Sequence, residues 1–188
     1  RPFGLSEIPS LETINELTSY FKAPENKLPE LVESALASSE KTVILHPKSQ
    51  GSAMEWGIEN YKTLALQLVE KGYTVFFTGT ETEGLLVRND IPFSDKIIDT
   101  TGKLSLSELI SFIAKCDNLI ACSTGPLHIA GYLNRRAVGL FSPRKPIHPG
   151  RWKAIGKDVR ILVDNEECPT CAAGKVCSCI EKISIEKV

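Results

Sequence analysis

The sequence predicts an α/β fold, a Rossmann-like parallel sheet with helices packed on both faces. Short apolar strands alternate with amphipathic helices, as residues 42–45 are followed by residues 58–71. Strands of a parallel sheet are apolar along their whole length because helices cover both sides. A hydrophobic content of 42% over 188 residues is sufficient for the core of such a domain.

The elements follow one another from residue 41 onward. Strands are predicted at residues 42–45, 73–77, 96–99, 118–122, 136–141 and 159–163. Helices are predicted at residues 58–71, from about Glu81, at residues 105–115 and at residues 126–133, where apolar residues recur at helical spacing. Gly72 is expected to end the first of these helices.

Residues 1–40 contain no predicted strand and are interpreted as a helical linker or arm, with the domain at residues 41–188. A helix is predicted from Ser10, its N-cap, to about Phe21. A second helix at residues 28–38 should present four apolar residues on one side: Leu31, Val32, Ala35 and Leu36. Since the chain begins with Arg1 rather than Met, we expect it to be a fragment of a longer protein.

The net charge argues against a nucleic-acid partner, and the hydropathy pattern argues against a membrane-spanning segment. A formal charge of −1 gives no general attraction to nucleic acid, so no nucleic-acid partner is expected. No apolar run approaches the ~20 residues of a membrane span. No signal-peptide pattern opens the chain.

Polar residues cluster where the predicted strands end. The carboxyl ends of parallel strands meet at one edge of the sheet, and ligands bind there, near the reversal of strand order. We therefore predict a binding site at this edge. The candidate residues are Lys48 and Ser49 after the first strand, Gly79 and Glu83 after the second, residues 123–128 after the fourth and Arg144 after the fifth.

The turn after the fourth strand is the strongest candidate. Gly125 and Pro126 lead the chain directly into a helix, and Ser123, Thr124 and His128 can each hydrogen-bond a ligand. A helix N-terminus has unpaired N–H groups and the positive end of the peptide dipole, which favour phosphate. The turn therefore predicts a site for a nucleotide diphosphate.

Structural roles would also account for these residues. Thr124 and Gly125 suit a helix cap and a tight turn. His128 suits a packed histidine bonded to a backbone carbonyl, and Glu83 suits the first turn of a helix. The remaining aromatic and histidine side chains have simpler interpretations: loop packing for Trp56 and Trp152, solvent exposure for His46 and His148.

Four cysteines lie within twelve positions, in the pattern Cys168-x2-Cys171-x5-Cys177-x-Cys179. Four thiolates at short range can hold a structural zinc ion, although common zinc knuckles have two or more residues between the second pair. Free thiols and disulfides are the alternatives, and a cytosolic location would disfavour disulfides. Cys116 and Cys122 lie in apolar surroundings and are interpreted as small buried residues.

The order of the motifs from about Lys41 to the last residue resembles glycosyltransferase family 9, the lipopolysaccharide heptosyltransferase family, in its C-terminal, donor-binding half. Any one piece is weak, but their order is specific. The pieces are His46-Pro47, Gly51-Ser52, Trp56, Gly79, Thr101-Gly102, residues 107–109, residues 123–130 and residues 140–143.

The resemblance implies one half of a GT-B enzyme, whose active site lies in the cleft between two Rossmann-like halves. Family members transfer a sugar, with inversion, from a nucleotide diphosphate to lipopolysaccharide core or a related glycan. They do so at the cytoplasmic face of the inner membrane, which implies a cytoplasmic, peripherally associated enzyme that needs no cofactor for its chemistry. The catalytic base belongs to the other half, so this chain should contain no catalytic residue, bind donor weakly and transfer nothing alone.

Matched to the family pattern, Thr124, Gly125 and His128 correspond to the turn and helix that hold the diphosphate. Glu83 lies where the family keeps a carboxylate for the ribose of the donor. Ser123 stands where the heptosyltransferases usually have aspartate, and Met54 where they often have lysine. Charge for the phosphates would then come from Lys48, Arg144 or Lys145, and the donor sugar and its nucleotide stay open.

Two other functions are compatible with the sequence. The first is a non-catalytic module that binds a sugar nucleotide or a partner, with the cysteine cluster as a zinc-held docking surface. The second is a sugar-nucleotide epimerase, which shares the two-domain architecture. The hydroxyl-rich turn at residues 123–126 fits an epimerase less well.

Overall fold

A computed structural model describes residues 9–18, 20–164 and 167–188 of the chain. Within these ranges six parallel strands form one sheet, in the order β3-β2-β1-β4-β5-β6. The order reverses between β1 and β4, as in a doubly wound nucleotide-binding sheet. The predicted Rossmann-like fold is confirmed. The strands are β1 (Thr42–His46), β2 (Thr74–Phe77), β3 (Ile97–Asp99), β4 (Asn118–Cys122), β5 (Arg136–Leu140) and β6 (Val159–Leu162).

The helices lie close to their predicted bounds. They are α1 (Leu11–Thr18), α2 (Glu30–Ala37), α3 (Ile58–Glu70), α4 (Glu81–Val87), α5 (Leu106–Lys115), α6 (Gly125–Tyr132), α7 (Pro149–Trp152) and α8 (Pro169–Ala172). Gly72 has a φ of +87° after α3, as a helix terminator requires. The sequence did not predict α7 and α8, because one helical turn has no measurable periodicity. No helix in the described ranges is long and apolar enough to cross a membrane.

The sheet separates two apolar layers. Along β1, Val43 and Leu45 face a layer with α3 and the C-terminal tail, whereas Ile44 faces a layer with α2, α5 and α6. All three side chains are fully buried. Covering on both faces explains why the strands are apolar throughout and not alternating.

The second helix of the arm belongs to one of these layers. Val32 of α2 is fully buried and shares a cluster with Phe112 of α5. Leu31, predicted on the inner side, is instead exposed, because it lies about 100° from Val32 around the helix axis. In α1 the Ser10 hydroxyl accepts a hydrogen bond from the Thr13 N–H at 3.1 Å, which confirms the predicted N-cap.

Candidate functional site

Two adjoining cavities open at the carboxyl ends of the central strands. Cavity A has a volume of about 380 Å³ and is bordered by Ser123, His128, Arg151 and Trp152. Cavity B, of about 460 Å³, is bordered by His46, Ser49, Glu83 and Pro126. Both include Ser52, Thr124 and Gly125 in their walls, so the β4–α6 turn lies between them. This is the edge of the sheet where the strand order reverses.

The β4–α6 turn has fewer free backbone donors than an ordinary helix start. Pro126 has no N–H, and the Leu127 N–H already bonds the Thr124 carbonyl at 3.2 Å. Thr124 stands at the N-cap but does not cap with its side chain; its hydroxyl donates to the Cys122 carbonyl at 3.3 Å. The Gly125 N–H has no partner among the described residues. An anion here would rely on that N–H and on neighbouring side chains.

Two further features leave room for a ligand at this turn. A Cβ added to Gly125 would meet no atom within 4 Å, so space opens directly in front of the residue. The His128 ring is half-buried on the wall of cavity A, and no described residue hydrogen-bonds it. Burial lowers the pKa of His128. The carbonyl-bonded packing role considered for His128 is therefore not what the structure has.

Glu83 caps a helix and also borders cavity B. Its Oε2 accepts hydrogen bonds from the Thr80 N–H at 2.7 Å and the Thr80 hydroxyl at 2.9 Å, completing a capping box at the start of α4. The side chain is buried on the wall of cavity B. Gly79 borders neither cavity, but a Cβ there would lie 3.2 Å from the Glu83 Cβ. Gly79 thus makes room for the Glu83 side chain.

His46 is buried, so the interpretation of it as a solvent-exposed loop residue is wrong. Its Nδ1 lies 3.0 Å from the Thr78 hydroxyl. Burial lowers the pKa of His46, and the charge of Glu83 acts in the opposite direction. β1 is one residue longer than predicted and carries His46 into the core.

Lys48 and Ser49 are engaged with a residue that the sequence did not single out. Glu55 forms an ion pair with Lys48, and its other oxygen accepts from the Ser49 N–H at 3.0 Å. Ser49 is buried on the wall of cavity B, whereas Lys48 lies in a neighbouring hollow that also includes Glu83. Most of the charge of Lys48 is therefore balanced within the loop.

Arg144 borders neither cavity. Its Nη1 lies 3.8 Å from the sulfur of Met54, so its charge is directed to the loop before α3. Lys145 is exposed.

Sequence reasoning missed Arg151 and misread Trp152. Trp152 was interpreted as a packing residue, but its side chain is 44% exposed on cavity A, with the Arg151 guanidinium 5.3 Å from its ring centre. Trp56, by contrast, is fully buried, as predicted. The adjacent Arg-Trp pair after a proline was the available signal, but α7 is too short to place it.

The four C-terminal cysteines converge. Their sulfur atoms all lie within 4.8 Å of one another, with 3.3 Å between Cys171 and Cys179 and 3.5 Å between Cys168 and Cys177. Hydrogen bonding from the Cys171 backbone lowers the pKa of Cys168 to about 7, whereas burial raises that of Cys179 to about 12. The Ser142 hydroxyl, just beyond β5, lies 3.4 Å from the Cys171 sulfur. The cluster thus contacts the loop that follows β5.

Comparison with known proteins identifies a consistent set of relatives. A family model described as glycosyltransferase family 9 (heptosyltransferase) matches residues 12–180. The chain is similar to lipooligosaccharide heptosyltransferase 2 of Haemophilus influenzae, with 31% identity over 101 residues, 51% of this chain and 29% of that protein. It is also similar to the structure of Escherichia coli ADP-heptose lps heptosyltransferase II, with a TM-score of 0.64 and 21% identity over 87% of this chain and 50% of that one.

A more distant similarity is to the UDP-GlcNAc 2-epimerase of Methanocaldococcus jannaschii, with a TM-score of 0.50 and 11% identity over 84% of this chain and 42% of that one. At such identities the two structural matches show a shared fold. The chain spans half or less of the length of each of these three proteins.

Proposed function

Since the chain belongs to glycosyltransferase family 9, the heptosyltransferase family, we propose that it is the donor-binding half of an inverting glycosyltransferase. The observation that carries this proposal is the pair of cavities that meet at Thr124 and Gly125. Their position at the reversal of strand order is where doubly wound sheets bind nucleotides. Two joined cavities suit a ligand of two parts, a nucleoside and a sugar, linked by a diphosphate.

The diphosphate is assigned to the wall that the two cavities share. The free N–H of Gly125 and the hydroxyl of Ser123 supply hydrogen bonds, and Arg151 on cavity A supplies positive charge. His128, on the wall of cavity A, donates one ring N–H to a phosphate oxygen. Donors fixed in this way stabilise the negative charge that develops on the leaving diphosphate as the bond to the sugar breaks.

The nucleoside is assigned to cavity B, with its ribose at Glu83. Both hydrogen bonds from Thr80 end on Glu83 Oε2, which leaves Oε1 to accept from a ribose hydroxyl. A bond to a carboxylate is about twice as strong as one between neutral groups. The capping box holds the carboxylate in place before the donor arrives.

In the complete enzyme an acceptor hydroxyl attacks the anomeric carbon of the donor sugar while the nucleoside diphosphate leaves from the opposite side. The base that takes the acceptor proton is assigned to the other half of the enzyme, so this chain alone binds donor weakly and transfers nothing. The acceptor is lipopolysaccharide core or a related glycan, and the enzyme works in the cytoplasm at the inner membrane. The transfer needs no cofactor. The names of the H. influenzae and E. coli relatives, a lipooligosaccharide heptosyltransferase and an ADP-heptose lps heptosyltransferase, support a lipopolysaccharide-type acceptor.

A transfer assay on the full-length protein tests the proposal. ADP-heptose, UDP-sugars and GDP-sugars are each offered with a lipopolysaccharide core acceptor, and the products are identified by mass spectrometry and by the anomeric configuration in NMR. The proposal predicts transfer with inversion and release of a nucleoside diphosphate. Isomerisation of the donor without acceptor would identify an epimerase instead, and donor binding without turnover would identify a non-catalytic module.

Two histidine variants sharpen the assay. His128→Ala should lower kcat/KM at least tenfold, since a donor to the phosphate is lost. His148→Ala is the matched control, because His148 does not border cavity A, and its activity should stay close to wild type. Equal activities in the two variants would assign His128 to packing alone.

A further inference from the structure

The segment that carries the four cysteines has little else to fold around. Its buried cluster consists of cysteine side chains alone: Cys168, Cys171 and Cys179, with Cys177 packed against them. The loop at residues 172–176 is exposed throughout, and Val176 faces solvent. Apolar packing among the described residues therefore does not account for the folded shape of this loop.

We propose that Cys168, Cys171, Cys177 and Cys179 bind one zinc ion. A tetrahedral zinc with bonds of about 2.3 Å to sulfur separates its ligand sulfurs by about 3.8 Å. Two of the sulfur pairs are slightly closer than this, at 3.3 and 3.5 Å. None of the sulfur–sulfur distances exceeds 4.8 Å. Four thiolates are a common ligand set for structural zinc.

The compactness of the cluster distinguishes this site from its alternatives. An iron–sulfur cluster would need room for several metal and sulfide atoms between the thiolates, whereas four sulfurs within 4.8 Å enclose a single ion. Two disulfides would join Cys168 to Cys177 and Cys171 to Cys179, but these sulfurs are 3.5 and 3.3 Å apart, well beyond a disulfide bond of about 2.05 Å. Zinc suits an all-thiolate tetrahedral site among the available divalent metals.

Hydrogen bonds to the sulfur atoms support metal thiolates. The Cys179 N–H donates to the Cys177 sulfur at 3.3 Å. The Ser142 hydroxyl accepts from the Arg144 N–H at 3.2 Å and lies 3.4 Å from the Cys171 sulfur, to which it would donate if that sulfur is a thiolate. Donors around a metal centre orient its ligands and spread the negative charge of the four thiolates.

Zinc binding would tie the C-terminal tail to the sheet. The ion displaces four thiol protons as it forms four Zn–S bonds, and the free energy of binding contributes to folding. Ser142 links the site to the loop after β5, which continues to Pro146 and Ile147 on the wall of cavity A. On the other side, Cys179 leads into Ile180 and Ile183, which are buried in the layer around Trp56.

Metal analysis of the purified protein tests the proposal directly. Protein prepared with a reductant and without chelators should contain one zinc per chain by elemental analysis. Replacement of zinc with Co²⁺ should give the visible absorption of a tetrahedral cobalt thiolate, and a strong chelator should lower the thermal midpoint. Cys171→Ser and Cys179→Ser should lose zinc, whereas Cys116→Ala, a buried cysteine elsewhere, should retain it.

Several results would overturn the zinc site. They are metal-free protein that takes up no added zinc, two disulfides in the intact mass, and iron in place of zinc. Each is read on the wild-type chain, so the proposal does not depend on whether a cysteine variant folds. None depends on whether the protein transfers a sugar, so the metal site and the enzymatic function are tested separately.

Discussion

The indole Nε1 of Trp56 donates a hydrogen bond of 2.9 Å to the carbonyl of Ile183. The bond joins the loop before α3 to the C-terminal tail, across 127 positions of sequence. Trp56 also packs edge-on against Tyr61, with ring centres 5.1 Å apart. The tail is therefore part of the apolar layer over one face of the sheet.

Replacement of Trp56 by phenylalanine should destabilise the fold by about 1–3 kcal/mol, because the Ile183 carbonyl would be left buried without its donor. Urea unfolding measures the change in the free energy of unfolding. Trp152→Phe is the control, since that side chain is 44% exposed, and its effect should be small. Equal effects of the two substitutions would show that the tail is not anchored through Trp56.

Gly125→Ala should separate binding from folding. The added Cβ meets no protein atom within 4 Å, and alanine is favoured over glycine in a helix by up to about 1 kcal/mol, so the thermal midpoint should be unchanged or higher. The methyl group would occupy the space assigned to the diphosphate, so affinity for a sugar nucleotide should fall at least tenfold, by about 1.4 kcal/mol. Calorimetry and thermal unfolding measure the two quantities.

Gly84→Ala serves as the control for stability, because there the added methyl group has no room. A Cβ at Gly84 would collide with Thr101 and Arg88, so this variant should lose stability. If Gly125→Ala bound donor as tightly as wild type, the diphosphate would have to lie elsewhere.

Glu83→Gln should weaken nucleotide binding about tenfold, since a neutral amide replaces the carboxylate proposed to bind ribose. Glu108→Gln is a closely matched control. Glu108 completes the same capping box on α5, accepting from the Ser105 N–H at 2.8 Å, but borders neither cavity. Both substitutions should cost about 1 kcal/mol of stability or less, because glutamine also caps. If Glu83→Gln and Glu108→Gln weakened nucleotide binding equally, Glu83 would have only a capping role.

The buried His46 should make stability depend on pH. Its pKa lies below the usual 6.5 in the folded chain, so below pH 6.5 the unfolded chain takes up a proton that the folded chain does not. The free energy of unfolding should therefore fall as the pH drops below 6.5, by at most about 1.4 kcal/mol per pH unit from this group. In His46→Gln the fall should be shallower, as measured by urea unfolding between pH 7 and pH 5, and an unchanged slope would contradict the assignment.

Most of the fold could be predicted from the sequence, because short unbroken apolar runs, bounded by turn residues, alternate with segments of helical period. β1 to β6 and α3 to α6 follow from that alternation. The one-turn helices α7 and α8 have no period to detect, which is why Arg151 was missed. Leu31 was predicted to be buried, but the buried face of the short helix α2 is narrower than its apolar pattern and leaves this residue exposed.

The candidate site was predicted as a set of residues but not in its contacts. Ser123, Thr124, Gly125 and His128 do meet at one cavity, since they lie in one turn and the helix after it. The pairing of Lys48 with Glu55 and the burial of His46 depend on loop geometry, which no local pattern encodes. The contact between Ser142 and the cysteine cluster joins segments 29 positions apart, and only the folded chain shows it.

The most direct test of the central claim is a crystal structure of the full-length protein with its nucleoside diphosphate bound. We predict the diphosphate at the β4–α6 turn, within hydrogen-bonding distance of the Gly125 N–H, with the ribose at Glu83. A nucleotide bound away from this turn, or a diphosphate that makes no contact with Gly125, Ser123 or His128, would contradict the account.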